Sequence, residues 1–201
     1  MIKFLKTCIC IHRRLLSTIK LYLVYKFVFG KIGNNTRIIS PLKIDGYKEI
    51  FIGDDVIIEY KTWLAAVPIN RGEKCSLEIG EGTVIGHFNH IYATESIVIG
   101  KYVLTADKVY ISDNIHGYQD VNIPILKQPV IQRNTVIIGD GTWIGENVCI
   151  IGAKIGKNCV IGAGAIITKD IPDYCVVVGN PARIIKKYNQ STSAWEVVSQ
   201  K

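Results

Sequence analysis

Among the histidines of this 201-residue chain, His116 stands where an imidazole could do chemistry. It closes the run Ile111-Ser112-Asp113-Asn114-Ile115-His116. Directly after it the regular pattern of the chain stops for eighteen residues, Gly117–Asn134, an excursion containing Pro124 and Pro129. Excursions of that length inside a regular domain usually bind or cover something. An imidazole with a pKa near ~6.5 is the natural general base at neutral pH. The chemistry expected beside the loop is therefore removal of a proton from an acceptor. Asp113 and Asp120 are both candidates to orient the ring, and spacing does not choose between them.

A repeat must hold that imidazole in place. Branched aliphatics followed by glycine recur about every six residues at Ile79-Gly80, Ile85-Gly86, Ile99-Gly100, Ile138-Gly139, Ile144-Gly145, Ile155-Gly156 and Ile161-Gly162. The fifth place of these units is small or β-branched: Thr83, Val103, Thr142, Val148, Cys159, Ala165. A six-residue period predicts a parallel β-helix, three units making one triangular coil. The aliphatic and the fifth residue point inward, and the glycine serves a tight turn, with positive φ as one reason for it. Hairpins of a sandwich would alternate every two residues instead. Residues 46–76 read as irregular, with partial repeats near Ile50–Gly53 and Val56-Ile57. The unit Ile150–Lys154 is one residue short, so the coil must tighten there.

Composition bounds the rest. The chain is 48% hydrophobic, enough for a core, and its six cysteines (8, 10, 75, 149, 159, 175) form no CxxC pair, which suits a reducing cytosol. The net charge of +7 belongs to the N-terminus: residues 1–44 hold nine of the twenty-four Lys and Arg and no acid. Leu15–Phe29 is mostly apolar and ends at Gly30, which predicts a helix. It is too short to span a bilayer and lacks the pattern of a signal peptide. Two roles stay open for it, a cap on the end of the β-helix or attachment to an anionic membrane surface. No motif supports nucleic-acid binding.

The segments ISDNIHGYQD, PILKQP, VIIGDGTWIGENV, IGKNCVIGAGAIITKDIPDY and GNPARIIKKY together resemble the left-handed β-helix acetyltransferases. They are most similar to the sugar O-acetyltransferases of lipopolysaccharide O-antigen and capsule synthesis, relatives of the galactoside and maltose acetyltransferases. The resemblance covers about residues 45–190. It implies an all-β left-handed β-helix over 45–180, a basic, partly helical extension over 1–44, and a C-terminal helix and tail over 181–201. It implies acetyl transfer from acetyl-CoA to a sugar hydroxyl of a surface glycan or its precursor, without a metal, by a homotrimer whose active sites lie between subunits. The enzyme would be cytoplasmic, and peripheral at the inner membrane if residues 1–44 bind lipid.

Residue by residue, the resemblance makes His116 the base, with Asp113 beside it. Trp143 and Gly145 match the pantetheine arm, Ala163 a backbone contact to the cofactor, and Thr168 and Lys169 its nucleotide end. Arg183 and Lys186 match cations facing its phosphates. Asn89, Asn114, Tyr118 and Asp120 are the candidates for acceptor binding. One departure stands out: many relatives read Asp-His-x-His where this chain has Asp113-Asn114-Ile115-His116. The rival readings are an N-acetyltransferase acting on an amino sugar, a non-catalytic solenoid, and a metal enzyme like the γ-type carbonic anhydrases using His87, His90 and His116.

Overall fold

The computed structural model describes residues 24–198. Short parallel strands wind into a left-handed, three-sided coil. The first face stacks Lys31–Ile32, Ile50–Ile52, Ser76–Ile79, Ser96–Ile99, Val136–Ile138 and Lys154–Ile155. The second runs from Arg37–Ile38 through Val84–Ile85, Leu104–Thr105, Trp143–Ile144 and Val160–Ile161 to Cys175–Val178. The third runs from Lys43–Asp45 through Trp63–Ala66, His90–Ala93, Tyr110–Ser112 and Cys149–Ile151 to Ile166–Ile167. The coil thus begins at Lys31, inside the segment that charge alone sets apart as 1–44.

The predicted interior is the observed one. Ile79, Ile99, Ile138 and Ile155 line the first face, Ile85, Ile144 and Ile161 the second, Ile91, Ile111, Ile150 and Ile167 the third, all essentially inaccessible. Burying each such side chain contributes roughly 1.5–3 kcal/mol. The inward threonines do more than fit. Thr142 Oγ1 donates to Gly156 O (2.8 Å) and accepts from Cys159 N (3.0 Å), and Thr83 joins Gly100 O (2.8 Å) and Val103 N (3.1 Å) in the same way. Each hydroxyl bridges two successive coils and is fully satisfied.

The second-place glycines have a different reason from a positive φ. A Cβ on Gly80 would lie 2.5 Å from Gly100 C in the next coil, so close stacking of backbone excludes a side chain. The left-handed residues fall two places later, at Gly82, Gly141, Tyr102 and Asn158.

Residues 46–76 form a full coil, with 67–75 leaving it at the corner between the third and first faces. The longer excursion leaves two coils later at the same corner. Its ends pair as an antiparallel ribbon, Asn114–His116 with Val130–Gln132, and its tip carries a 3-10 turn at Ile125–Lys127.

At the N-terminal end a three-residue helix, Lys26–Val28, is flanked by Tyr25 and Phe29. Both are buried against Tyr47, with ring centroids 6.4 and 5.0 Å away. This corner of the structure caps the coil; the rest of the helix expected over Leu15–Phe29 lies outside the described residues. The C-terminal helix expected over 181–201 is replaced by strands. Arg183–Asn189 pairs antiparallel with Cys175–Val178, and Ala194–Val197 follows it. The last coil leaves an open edge on the second face, and a hairpin that covers it satisfies that edge. Tyr188 packs on Trp195 across the hairpin (5.5 Å) and near Tyr174 (6.3 Å), the kind of cross-strand aromatic contact that favours a strand.

Candidate functional site

His116 ends the first strand of the ribbon and is exposed, with no hydrogen bond to its imidazole among the described residues. Asp113 does not orient it. The Asp113 carboxylate is fully buried and committed to the neighbouring turn. Oδ1 accepts from Thr94 N and Thr94 Oγ1, both at 2.8 Å, and Oδ2 from Glu95 N (2.8 Å) and Ser96 N (2.9 Å). Charge-assisted bonds of this kind are strong; here they root the ribbon on the coil. Asp120 sits at the loop tip, where Oδ1 accepts from Asn122 N (2.9 Å). Neither carboxylate is placed on the ring.

The acceptor candidates separate as well. Asn89 is buried, and its amide is spent inside the coil: Nδ2 donates to Ala106 O (3.0 Å), and Oδ1 accepts from Val109 N (2.7 Å). It is a corner residue with nothing left for a substrate. Asn114 is half-buried, 3.2 Å from Asp113 Oδ1, and Tyr118 is exposed on the loop.

The residues matched to the cofactor lie elsewhere. Trp143 is 49% exposed on the second face, between Leu104 and Val160 in register. The same line continues through Val176 to Lys186. Gly145 and Ala163 belong to successive turns of the corner between the second and third faces. A Cβ on Gly145 would lie 2.6 Å from Ala163 N. Ala163 is exposed, and its N–H has no protein acceptor among the described residues. Arg183 and Lys186 are exposed on the added strand. Thr168 and Lys169, in contrast, follow the last strand of the third face and so sit at the corner that carries His116. One chain therefore holds two half-sites, on either side of the third face.

One cluster was missed by sequence reasoning. His87 Nδ1 lies 3.0 Å from Asp107 Oδ1, and Nε2 3.5 Å from Glu59 Oε2. Burial raises the Asp107 carboxyl, but hydrogen bonds from the His87 backbone and ring outweigh it and hold the group below its usual range. Three successive coils supply these residues, so no local motif announces them. His90 is separate: its ring stacks on Trp63 at 4.2 Å, burial pushes its pKa down, and Nε2 has no partner among the described residues. His87, His90 and His116 thus occupy one corner, the third face and the opposite corner. Among the described residues no group of three or more His, Cys, Asp or Glu is placed to hold a metal.

Comparison with known proteins extends this picture. Residues 135–169 match a family described as the hexapeptide repeat of succinyl-transferase. The chain is 31% identical over 163 residues to a galactoside O-acetyltransferase of Lactococcus lactis, a match covering 79% of this chain and 74% of the relative. It is 37% identical over 119 residues to WbbJ of Escherichia coli K12, named for lipopolysaccharide biosynthesis O-acetyl transfer, covering 56% of this chain and 61% of WbbJ. Among solved structures, AntD of Bacillus cereus, an N-acyltransferase in complex with dTDP and 3-hydroxybutyryl-CoA, superimposes with a TM-score of 0.69 at 22% identity. The likeness covers 83% of this chain and 87% of AntD, and it speaks for the fold. The chain spans 52–61% of the length of the first curated relatives it matches.

Proposed function

Because this chain belongs to the hexapeptide-repeat acetyltransferase family, we propose that it transfers acetyl from acetyl-CoA to a sugar hydroxyl of a surface glycan or its precursor, with His116 as general base. The observation that carries this reading is the pair of half-sites: an exposed imidazole on one corner, and on the other an Ala163 N–H with no protein acceptor among the described residues, with Trp143 and Lys186 exposed on the adjoining second face. The residues present fit coenzyme A. Trp143 offers an apolar surface to an extended thiol arm, Ala163 N–H a donor to one of its carbonyls, and Lys169, Arg183 and Lys186 charge to its phosphates.

Acetyl-CoA supplies an activated acyl group as a thioester. The remaining work falls to the chain. An alcohol is a poor nucleophile at neutral pH, and His116 accepts its proton as the new C–O bond forms. The imidazolium returns that proton to the departing thiol sulfur as the C–S bond breaks, so the base is regenerated. A positioned base is worth about 10²–10⁴-fold. The third face separates the half-sites within one chain, and we place the complete site between adjacent copies of a homotrimer.

WbbJ and the galactoside enzyme both support a hydroxyl acceptor, WbbJ a glycan of the cell surface. The basic segment 1–44 suits attachment to an anionic cytoplasmic leaflet, readable as flotation with anionic liposomes that a truncation abolishes.

The test mixes copies. A His116→Ala chain and an Arg183→Glu/Lys186→Glu chain, each inactive alone, regain labelled-acetyl transfer when co-expressed, because a mixed assembly contains intact sites. Product released by mild alkali is an ester. A chain that stays monomeric, mixtures that never regain activity, or an alkali-stable amide product would sink the corresponding part of this reading.

A further inference from the structure

A cleft of about 500 Å³ opens between the two excursions that leave the coil at the corner of the third and first faces. Its floor is the turn Thr94-Glu95, one wall is Ile69, Asn70, Glu73 and Lys74, and the other is Val130 and Gln132 of the ribbon. The size is usual for a small-molecule site.

The ribbon register ties this cleft to the imidazole. His116 stands opposite Val130 and Asn114 opposite Gln132. Directly opposed residues of an antiparallel pair project to the same side, with Cβ atoms about 4.5–5.5 Å apart. The side of the ribbon that lines the cleft is therefore the side that carries His116.

The walls are rigid where they are polar and internal. The Thr94 hydroxyl lies 2.6 Å from Gln132 Oε1, and Gln132 Nε2 donates to Asp113 O (3.0 Å). Asn70 Nδ2 donates to Glu73 Oε1 (2.8 Å). Among the described residues the Lys74 ammonium and the Glu95 carboxylate make no hydrogen bond or ion pair, and they remain for a ligand. Ile69 and Val130 add apolar surface. Two carboxylates against one ammonium disfavour phosphate, whereas apolar ring faces and several hydroxyls suit this lining.

We infer that this cleft seats the acceptor as a neutral hexosyl unit, gripped through its hydroxyls by Glu95 and Lys74 with its ring on Ile69 and Val130, one hydroxyl facing His116; this rests on the acetyl-transfer reading above. The cleft selects the sugar itself and leaves any attached phosphate outside.

Saturation-transfer NMR on the full chain with methyl glucoside, galactoside and mannoside reads binding, independently of turnover. At least one hexoside contacts the wild type. Ile69→Trp, which fills the cleft, weakens that contact at least tenfold and Glu95→Gln at least threefold. His116→Ala leaves it within twofold, as does addition of dTDP. In transfer assays the first two variants lower kcat/KM for the acceptor while KM for acetyl-CoA stays within twofold. No hexoside contact in the wild type, contact unchanged in both cleft variants, or displacement of the hexoside by dTDP would overturn the assignment. Hexoside binding that the cleft variants abolish, in a protein that moves no acetyl group, upholds the cleft and removes the activity.

Discussion

The Asp113 carboxylate grips Thr94 twice, through its backbone N–H and its hydroxyl, each 2.8 Å from Oδ1. With Glu95 N and Ser96 N on Oδ2, this one side chain fixes a turn on the preceding coil and the root of the ribbon that ends in His116. Its effect on catalysis is thus exerted through placement. Asp113→Asn puts an NH₂ against backbone N–H donors in a buried site, a conflict expected to cost about 2–4 kcal/mol. Urea unfolding checks the magnitude, and proteolysis between 117 and 129 should quicken as the ribbon loosens. An unfolding midpoint equal to wild type would show that the cage contributes nothing.

His116→Ala removes an exposed side chain that makes no hydrogen bond among the described residues. The variant should melt with the wild type, keep its KM for acetyl-CoA, and lose about 10²–10⁴-fold in turnover. Steady-state kinetics with labelled acetyl-CoA read all three. Near-full turnover would assign the proton transfer to another group.

The coil was legible because its interior is written as a strict beat: at Ile79, Ile85, Ile99, Ile138, Ile144, Ile155 and Ile161, each followed by Gly, the structure has an inward, buried side chain. Two kinds of feature were not. The strand Arg183–Asn189 forms because the second face ends in an open edge, a fact about the whole coil rather than about that segment. Asp113 and Asn89 look like site residues in a linear motif, yet their partners lie on neighbouring coils, at Thr94–Ser96 and at Ala106 and Val109. Position beside a histidine in sequence therefore says little here about contact with it. The cleft between the two excursions was hidden for the same reason, since its walls come from 69–74 and 130–132.

Gly145 tests the corner assigned to the cofactor. A Cβ there meets Ala163 N at 2.6 Å and Ile161 O at 2.9 Å, both backbone atoms of the next coil. Gly145→Ala must push the coils apart, costing about 1–3 kcal/mol. It should also raise KM for acetyl-CoA severalfold, with KM for the sugar little changed. Calorimetry and kinetics together decide: a stable variant with both KM values unaltered would remove this corner from the cofactor path.

Lys169 and Arg183 stand at different corners yet are assigned to one ligand. Replacing either with Ala should raise KM for acetyl-CoA about tenfold, equivalent to ~1.4 kcal/mol, and the difference should shrink at high salt. The sugar KM should stay within twofold. Equal effects on both substrates would argue against a phosphate role.

His90 makes stability depend on pH. Burial against Trp63 pushes its pKa below the ordinary value, while in the unfolded chain the imidazole titrates near ~6.5. As pH falls through that value the unfolded state takes up a proton that the folded state refuses, so stability declines until the lower folded pKa is reached. His90→Phe keeps an aromatic ring beside Trp63 and removes the titration. The difference in unfolding free energy between wild type and variant should be flat above about pH 7 and shift against the wild type as the pH falls below about 6.5. Urea titrations at a series of pH values measure it, and a difference that does not change with pH would mean that His90 binds its proton equally well folded and unfolded.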